Sequence, residues 1–451
     1  MSKKAVRGTL LDCVGDPWKS EDEREAARYI ADGLLVFEDG RFSELGEAKE
    51  LLSRHPDATV EDWTGHLIVP GFIDVHLHYA QTRIIGSFGR QLLDWLQTYT
   101  FPEELKFRSK DYADEVASFF FDELARLGTT SVQSFATTSP RSVEAFFEEA
   151  QRRNARVICG LTGIDREGTA PDDYRDTPES FYEGSKQLLQ RFHEKGRCLY
   201  AITPRFSFGS TDAQMKAAQR LAEEHPDVWI QTHLSENPTE CKVVLEFFPD
   251  CKDYLETYEK YGLVRKRAAF GHCIYLSEDE MRRLGEADAS IAFCPSSNLF
   301  LGSGHFQWDR ANHHGVRWGL GSDSGGGNTL SLIRTLDDAY KTGMVQAVCS
   351  DREKDEEALR MSAIKGLYAA TMASARCLDL DDRIGNFNEG KEADFVVLDT
   401  GASRILDFRR NGTKPSDGLQ AACHQFFGMM TLWVPEVVKA TYIAGQTAFR
   451  R

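Results

Sequence analysis

Eight short apolar segments, spaced by stretches of helical periodicity, constrain this 451-residue chain more than any other feature. They are Ile68–His78, Thr130–Ala136, Arg156–Leu161, Leu199–Phe206, Val228–Leu234, Ala268–Ile274, Ser290–Cys294 and Val316–Ser322. Their length and apolar character read as strands. Helices are expected at Tyr112–Leu127, Ser139–Asn154, Thr177–Lys195, Thr211–Glu224, Thr239–Tyr261, Ser277–Leu284, Asn328–Val348 and Glu356–Leu378. Gly128 stands where the first of these needs a glycine just past its end. Alternating strands and helices build parallel sheets, because parallel neighbours need a crossover. Eight units predict a closed (β/α)8 TIM barrel with its site at the C-terminal strand ends. The competing open, doubly wound sheet usually carries a Gly-rich phosphate turn, and no GxGxxG follows His78.

The two ends read differently. Gly33–Gly40, Ala393–Leu398 and Ala440–Gly445 look like short strands and turns. The expected organisation is a composite small β-sandwich domain from residues 1–66 plus 385–451, around a barrel from 67–384.

A formal charge of −16 repels phosphate backbones and anionic lipid, so neither nucleic acid nor a membrane surface is an expected partner. The 10 cysteines are scattered and form no CxxC pair, which suits a reducing, cytoplasmic setting. Met1–Gly15 holds no signal-like apolar run, and nothing approaches the ~20 apolar residues of a membrane span.

Chemistry concentrates at the strand ends. In Pro70–His78, strand alternation puts Phe72, Asp74, His76 and His78 on one face and Ile73, Val75 and Leu77 on the other. Two imidazoles two residues apart can bind one ion, although a His-x-His pair alone also occurs as ordinary packing. The fifth segment ends in His233, with Glu236 just beyond; the sixth carries His272, and the eighth leads into Asp323. In a barrel these positions converge. Neutral imidazoles with one carboxylate suit a borderline divalent ion, so His76, His78, His233 and Asp323 are the expected ligands of one zinc, with iron or another divalent ion also compatible. Such an ion makes hydroxide from water near neutral pH. Asp323 is placed to take the water's proton, His272 to orient the nucleophile, and Glu236 to carry a proton to the substrate. The set serves hydrolytic attack on an unsaturated carbon.

These residues make the chain resemble the amidohydrolase superfamily from about Gly33 to Gly445. The first-strand segment, the order His233, His272, Asp323, and the return Gly385–Asp399 carry the resemblance. Two-metal members usually bridge their ions with a lysine on the fourth strand; Tyr200–Phe206 has none, which implies one metal. His233-Leu234-Ser235-Glu236 is similar to the mononuclear deaminase branch, and Cys294 is expected to be a structural strand end. Gln81, Leu93–Leu96, Tyr99–Glu103, Thr203–Phe206 and Phe426–Gly428 most resemble the guanine-deaminating members. The resemblance implies hydrolysis of guanine to xanthine and ammonia, with Gln81, Arg205 and Phe206 binding the purine, and a homodimer. A related zinc aminohydrolase acting on 8-oxoguanine or a triazine, and a catalytically dead scaffold, are the alternatives. At the residue level, Arg205 could instead pair with a structural carboxylate and Gln81 could only cap its loop. Trp95 and Phe101 are expected to pack the loop.

Overall fold

The computed structural model describes residues 3–89, 91–349, 354–412 and 418–451. Eight parallel strands follow one another round a barrel: Phe72–His78, Thr129–Phe135, Arg156–Gly160, Cys198–Pro204, Trp229–Leu234, Ala268–His272, Ser290–Phe293 and Arg317–Leu320. They are numbered one to eight below. Closure comes just past strand eight, where the Asp323 N–H donates to the His76 carbonyl at 2.8 Å and the His78 N–H to that of Ser324 at 3.2 Å. The seam therefore runs through candidate site residues.

Crossover helices cover the barrel. Lys110–Leu127 starts where the Ser109 hydroxyl accepts the Tyr112 N–H, and it ends at Gly128 with φ 85°. Its Val116, Phe120, Phe121 and Leu124 are buried along one face. Ile73 and Val75 of strand one pack with Ala375, Cys377 and Leu378 behind the barrel.

The chain ends join one seven-stranded sheet. Its order is Gln446–Arg450, Val438–Ile443, Phe395–Leu398, Thr59–Pro70, Lys4–Cys13, Ala27–Glu38, Arg41–Glu47. A register shift between Gly8 and Leu10 marks a bulge, which bends a strand, and Val6, Phe37, Trp63, Ile68, Phe395 and Tyr442 share one core. Arg156 and Arg197, at the N-terminal ends of strands three and four, tie this sheet to the barrel floor. Both pair with Glu392, and Arg197 also with Asp394.

Several expected boundaries shift. Ile68–His78 is two strands: Thr59–Pro70 belongs to the terminal sheet and Phe72–His78 to the barrel. A Cβ on Gly71 would lie 2.1 Å from Thr130 Oγ1, so the handover needs a glycine. The apolar alternation runs straight through this point, which hides the break. Thr239–Tyr261 is split into Pro238–Phe247 and Glu256–Glu259, with Pro249 ending the first piece. Glu356–Leu378 comprises the helices Glu356–Leu359, Ala363–Tyr368 and Ser374–Cys377 with a π-turn at Ala369–Ala373. The tail is not all β: helices Arg404–Gly412 and Gly418–Thr431 place Leu406, Phe426, Met429 and Met430 in the barrel's core cluster.

Candidate metal centre and active site

His76 and His78 end strand one, His233 lies on strand five, and Asp323 follows strand eight. One ligand-capable atom from each lies within 4.8 Å of the others, and all four residues are buried. His76 Nε2 and His78 Nε2 are both 3.4 Å from Asp323 Oδ1. The ring of His76 fits because residue 271 is glycine: a Cβ there would sit 2.7 Å from its Cε1.

Hydrogen bonding fixes one tautomer. A carbonyl only accepts, so the contact of His233 Nδ1 with the Arg205 carbonyl at 2.7 Å makes Nδ1 the protonated nitrogen and leaves a lone pair on Nε2. That lone pair faces His78 Nε2 at 3.1 Å. Burial first, then Arg205 and neighbouring imidazoles, holds the His78 pKa well below its ordinary value; burial, His76, His272 and Arg205 do the same for His233. His76 Nε2 is buried without a hydrogen-bond partner. Neutral imidazole nitrogens converging beside a carboxylate form a donor set that a divalent cation satisfies. Asp323 stays ionised: burial pushes its pKa up, but His76 and His272 bring it below the ordinary value.

His272 ends strand six, its Nδ1 at 2.9 Å from Asn298 Oδ1 and its Nε2 at 3.4 Å from Glu236 Oε2. Asn298 therefore orients the ring. Burial pushes the Glu236 carboxyl up to about 7, against the pull of His272. The Ser303 hydroxyl holds Oε1 at 3.2 Å. A carboxyl balanced near neutrality can accept and return a proton. Ser235, His272 and Asp323 have φ of 52°, 70° and 47°, left-handed conformations that cost side-chain-bearing residues energy and cluster at functional sites.

These groups open into a cavity lined by His78, Gln81, Arg205, His233, Glu236 and Asp323 on its polar side, with Phe206 beside them. Leu92, Trp95, Leu96 and Leu301 form an apolar wall. All nine sequence-selected site residues thus meet at one mouth, eight of them by lining the cavity or within the His3Asp cluster and His272 through Glu236. Trp95 both packs against Tyr99 and lines the cavity, whereas Phe101 packs against Tyr174. Cys294 sits just past strand seven, and its Sγ shares a 4.8 Å neighbourhood with ring nitrogens of His76 and His272.

Sequence reasoning missed Glu104, Asn298 and Ser303. Glu104 Oε1 accepts Gln81 Nε2 at 2.8 Å, and both its oxygens lie 3.2 Å from Arg205 Nη1. The structural pairing considered for Arg205 is present, and the Gln81 amide donates to the same carboxylate on the short helix Phe101–Glu104. Burial lowers the Arg205 pKa, but Glu104 more than compensates and raises it. The fragment Tyr99–Glu103 stopped one residue short of Glu104. Nothing in its local pattern marks it.

A sequence profile of the Amidohydrolase family matches residues 67–448. The chain belongs to the amidohydrolase family. Among amidohydrolases and their relatives, the guanine deaminase of Escherichia coli K12 is 43% identical over 449 residues, covering 99% of this chain and 98% of that protein. The crystal structure of guanine deaminase from Bradyrhizobium japonicum superposes with a TM-score of 0.97 at 44% identity, over 100% of both chains. Triazine hydrolase from Arthobacter aurescens has a TM-score of 0.82 at 19% identity over 100% of this chain and 95% of that one, so it shares the fold alone. The (β/α)8 barrel expected from the eightfold alternation is the observed one, and the family is the one the strand-end residues resemble. Among the described residues, no helix is long and apolar enough to cross a membrane.

Proposed function

We propose that the protein hydrolyses guanine to xanthine and ammonia at one divalent ion, zinc, held by His76, His78, His233 and Asp323. One observation carries this reading: the buried His3Asp set and the purine-reading candidates Gln81, Arg205 and Phe206 share one cavity. The similarity to guanine deaminases along nearly the whole chain supports it. Strand four, Cys198–Pro204, offers no lysine to bridge a second ion.

A divalent ion at these donors supplies hydroxide from water near neutral pH and so a nucleophile for C2. The chain's own residues do the rest. Arg205 donates to O6, Gln81 reads the adjoining ring edge, and Phe206 walls the ring. Asp323 takes the proton of the attacking water, and His272, steadied by Asn298, orients the nucleophile. Glu236 delivers a proton to the ring nitrogen beside C2. Oxygen adds at C2, the proton that Asp323 took from the water passes to the exocyclic amine, the C–N bond breaks and ammonia leaves, and the remaining hydroxyl proton returns to Glu236 as C2 becomes a carbonyl. The apolar wall of Leu92, Trp95, Leu96 and Leu301 excludes competing water.

All ten cysteines are free thiols, which supports a reducing, cytoplasmic setting. A homodimer belongs to the same proposal, and sedimentation tests it. The deciding assay is ammonia release from guanine beside 8-oxoguanine and a triazine, with zinc quantified on the same sample. Metal-replete protein that releases no ammonia from guanine sinks the reading; a higher kcat/KM on another ring moves the substrate.

A further inference from the structure

We propose that Glu104 is a specificity-determining positioning residue: by accepting from Gln81 and Arg205 together, it sets the hydrogen-bonding polarity of the purine-reading edge. The inference rests on the guanine reading and deepens it. Glu104 is 1% exposed and lies behind the cavity wall, so it acts through its neighbours. Its Oε1 takes the Gln81 amide at 2.8 Å, both oxygens hold Arg205 Nη1 at 3.2 Å, and Oε2 accepts the Tyr174 hydroxyl.

A carboxylate accepts and never donates. The Gln81 atom facing Glu104 is therefore its NH2, and its carbonyl Oε1 points elsewhere. A Cβ on Gly325 would lie 2.2 Å from Oε1, which puts the carbonyl beside the Gly325–Gly326 turn, and Gly326 lines the cavity. The hydrogen bonds of the Arg205 guanidinium run through Nη1 to Glu104, so its fork keeps donors for a ligand. The edge consequently presents a donor from Arg205 next to an acceptor from Gln81.

Guanine offers the complement, with O6 accepting and N1–H donating. A purine with an unprotonated N1 places a lone pair against the Gln81 carbonyl instead. A site built to hydrogen-bond one pattern rejects the reverse, because a buried polar atom is left unpaired. The discrimination belongs to Glu104, since a glutamine side chain alone can turn its amide either way.

The discriminating probe is 2-aminopurine, which carries the same C2 amine, has no O6, and has a lone pair on N1. Its kcat/KM is compared with that of guanine in wild-type, Glu104→Gln and Glu104→Asp enzymes with equal metal content. A glutamine at 104 can donate as well as accept, which frees the Gln81 amide to rotate. The expected result is that Glu104→Gln lowers the guanine-to-2-aminopurine ratio of kcat/KM by about tenfold or more, chiefly through guanine KM. Glu104→Asp keeps an acceptor-only group and holds the ratio within about threefold while both absolute values fall. A merely structural role would depress both substrates alike, and an unchanged ratio in folded, metal-replete Glu104→Gln overturns the proposal. If that variant does not fold, a collapsed ratio in Glu104→Asp overturns it and a retained one supports it. Wild-type enzyme inactive on guanine overturns the guanine reading; active wild type with an unmoved ratio overturns this inference alone.

Discussion

The carbonyl of Arg205 accepts the Nδ1–H of His233 at 2.7 Å, and the same carbonyl takes the His233 backbone N–H at 3.1 Å. One residue thereby serves two tasks. Its backbone sets the tautomer of a candidate metal ligand, and its side chain reaches the cavity beside Gln81 and Phe206. In the proposed function, metal and substrate binding are thus joined at a single position, yet separable by mutation.

Replacing the side chain leaves the carbonyl in place. Arg205→Gln is expected to keep its metal and raise KM for guanine by about 10–100-fold, the worth of a hydrogen bond from a charged donor. It also strips Glu104 of its counterion, so thermal stability should fall too. Metal analysis with steady-state kinetics checks this, and metal loss at full thermal stability would count against the division of labour.

Glu236 is the reverse case. It contributes no atom to the four-ligand set, but its carboxyl lies 3.4 Å from His272 and lines the cavity. Glu236→Gln should retain metal and bind guanine with little change in KM, while kcat drops by about 10²–10⁴-fold, the usual contribution of a positioned acid–base group. Near-normal turnover in this variant would remove Glu236 from the proton path.

Much of this site is legible in the chain because the barrel sends every strand's C-terminal end to one place. His76, His78, His233, His272 and Asp323 stand out once strands are assigned, since their positions depend on topology and not on loop shape. Glu104, Asn298 and Ser303 do not, because they reach the site from loops and short helices whose paths no periodicity encodes. The same logic holds for the fold. The eight strands follow from hydrophobic runs, whereas the break at Gly71 turns on one close approach to Thr130, and tertiary clearance leaves no trace in the local pattern.

Burial gives the metal-free protein a pH signature. Glu236 is raised from 4.5 to about 7 and Asp74 from 3.8 to about 7, desolvation being the main cause for both. A carboxyl with a raised folded pKa binds its proton more tightly folded than unfolded. Its stabilisation is complete below the unfolded value and disappears as pH rises through about 7. The Glu236 and Asp74 shares of the stability of chelator-treated protein should therefore fall between about pH 5 and 8, each on the order of 3 kcal/mol, while the lowered pKa values of His76, His78 and His233 add an opposite share as pH rises towards 6.5. Glu236→Gln removes one share, so its midpoint curve across that range should be shallower. Denaturant titrations at stepped pH measure the slope, and parallel curves for the two proteins would refute the assignment.

At the other end of the barrel, Glu392 carries a load of a different kind. Its side chain is 5% exposed and pairs with both Arg156 and Arg197, whose side chains are 5% and 9% exposed. Arg156 begins strand three and Arg197 immediately precedes strand four, whereas the metal set sits at the opposite strand ends. Glu392→Gln keeps the volume but leaves two buried guanidiniums with Asp394 as their remaining carboxylate, and Asp394 pairs with Arg197. Breaking a buried pair from one side costs about 3–5 kcal/mol. The expected outcome is a loss of that size in denaturant unfolding, with kcat and metal content unchanged at temperatures where the variant stays folded. Because Glu392 joins the terminal sheet to the barrel floor, a second, earlier transition for the sheet would mean the two units unfold separately. A single shifted transition would mean that the sheet and the barrel stay one cooperative body even without this pairing.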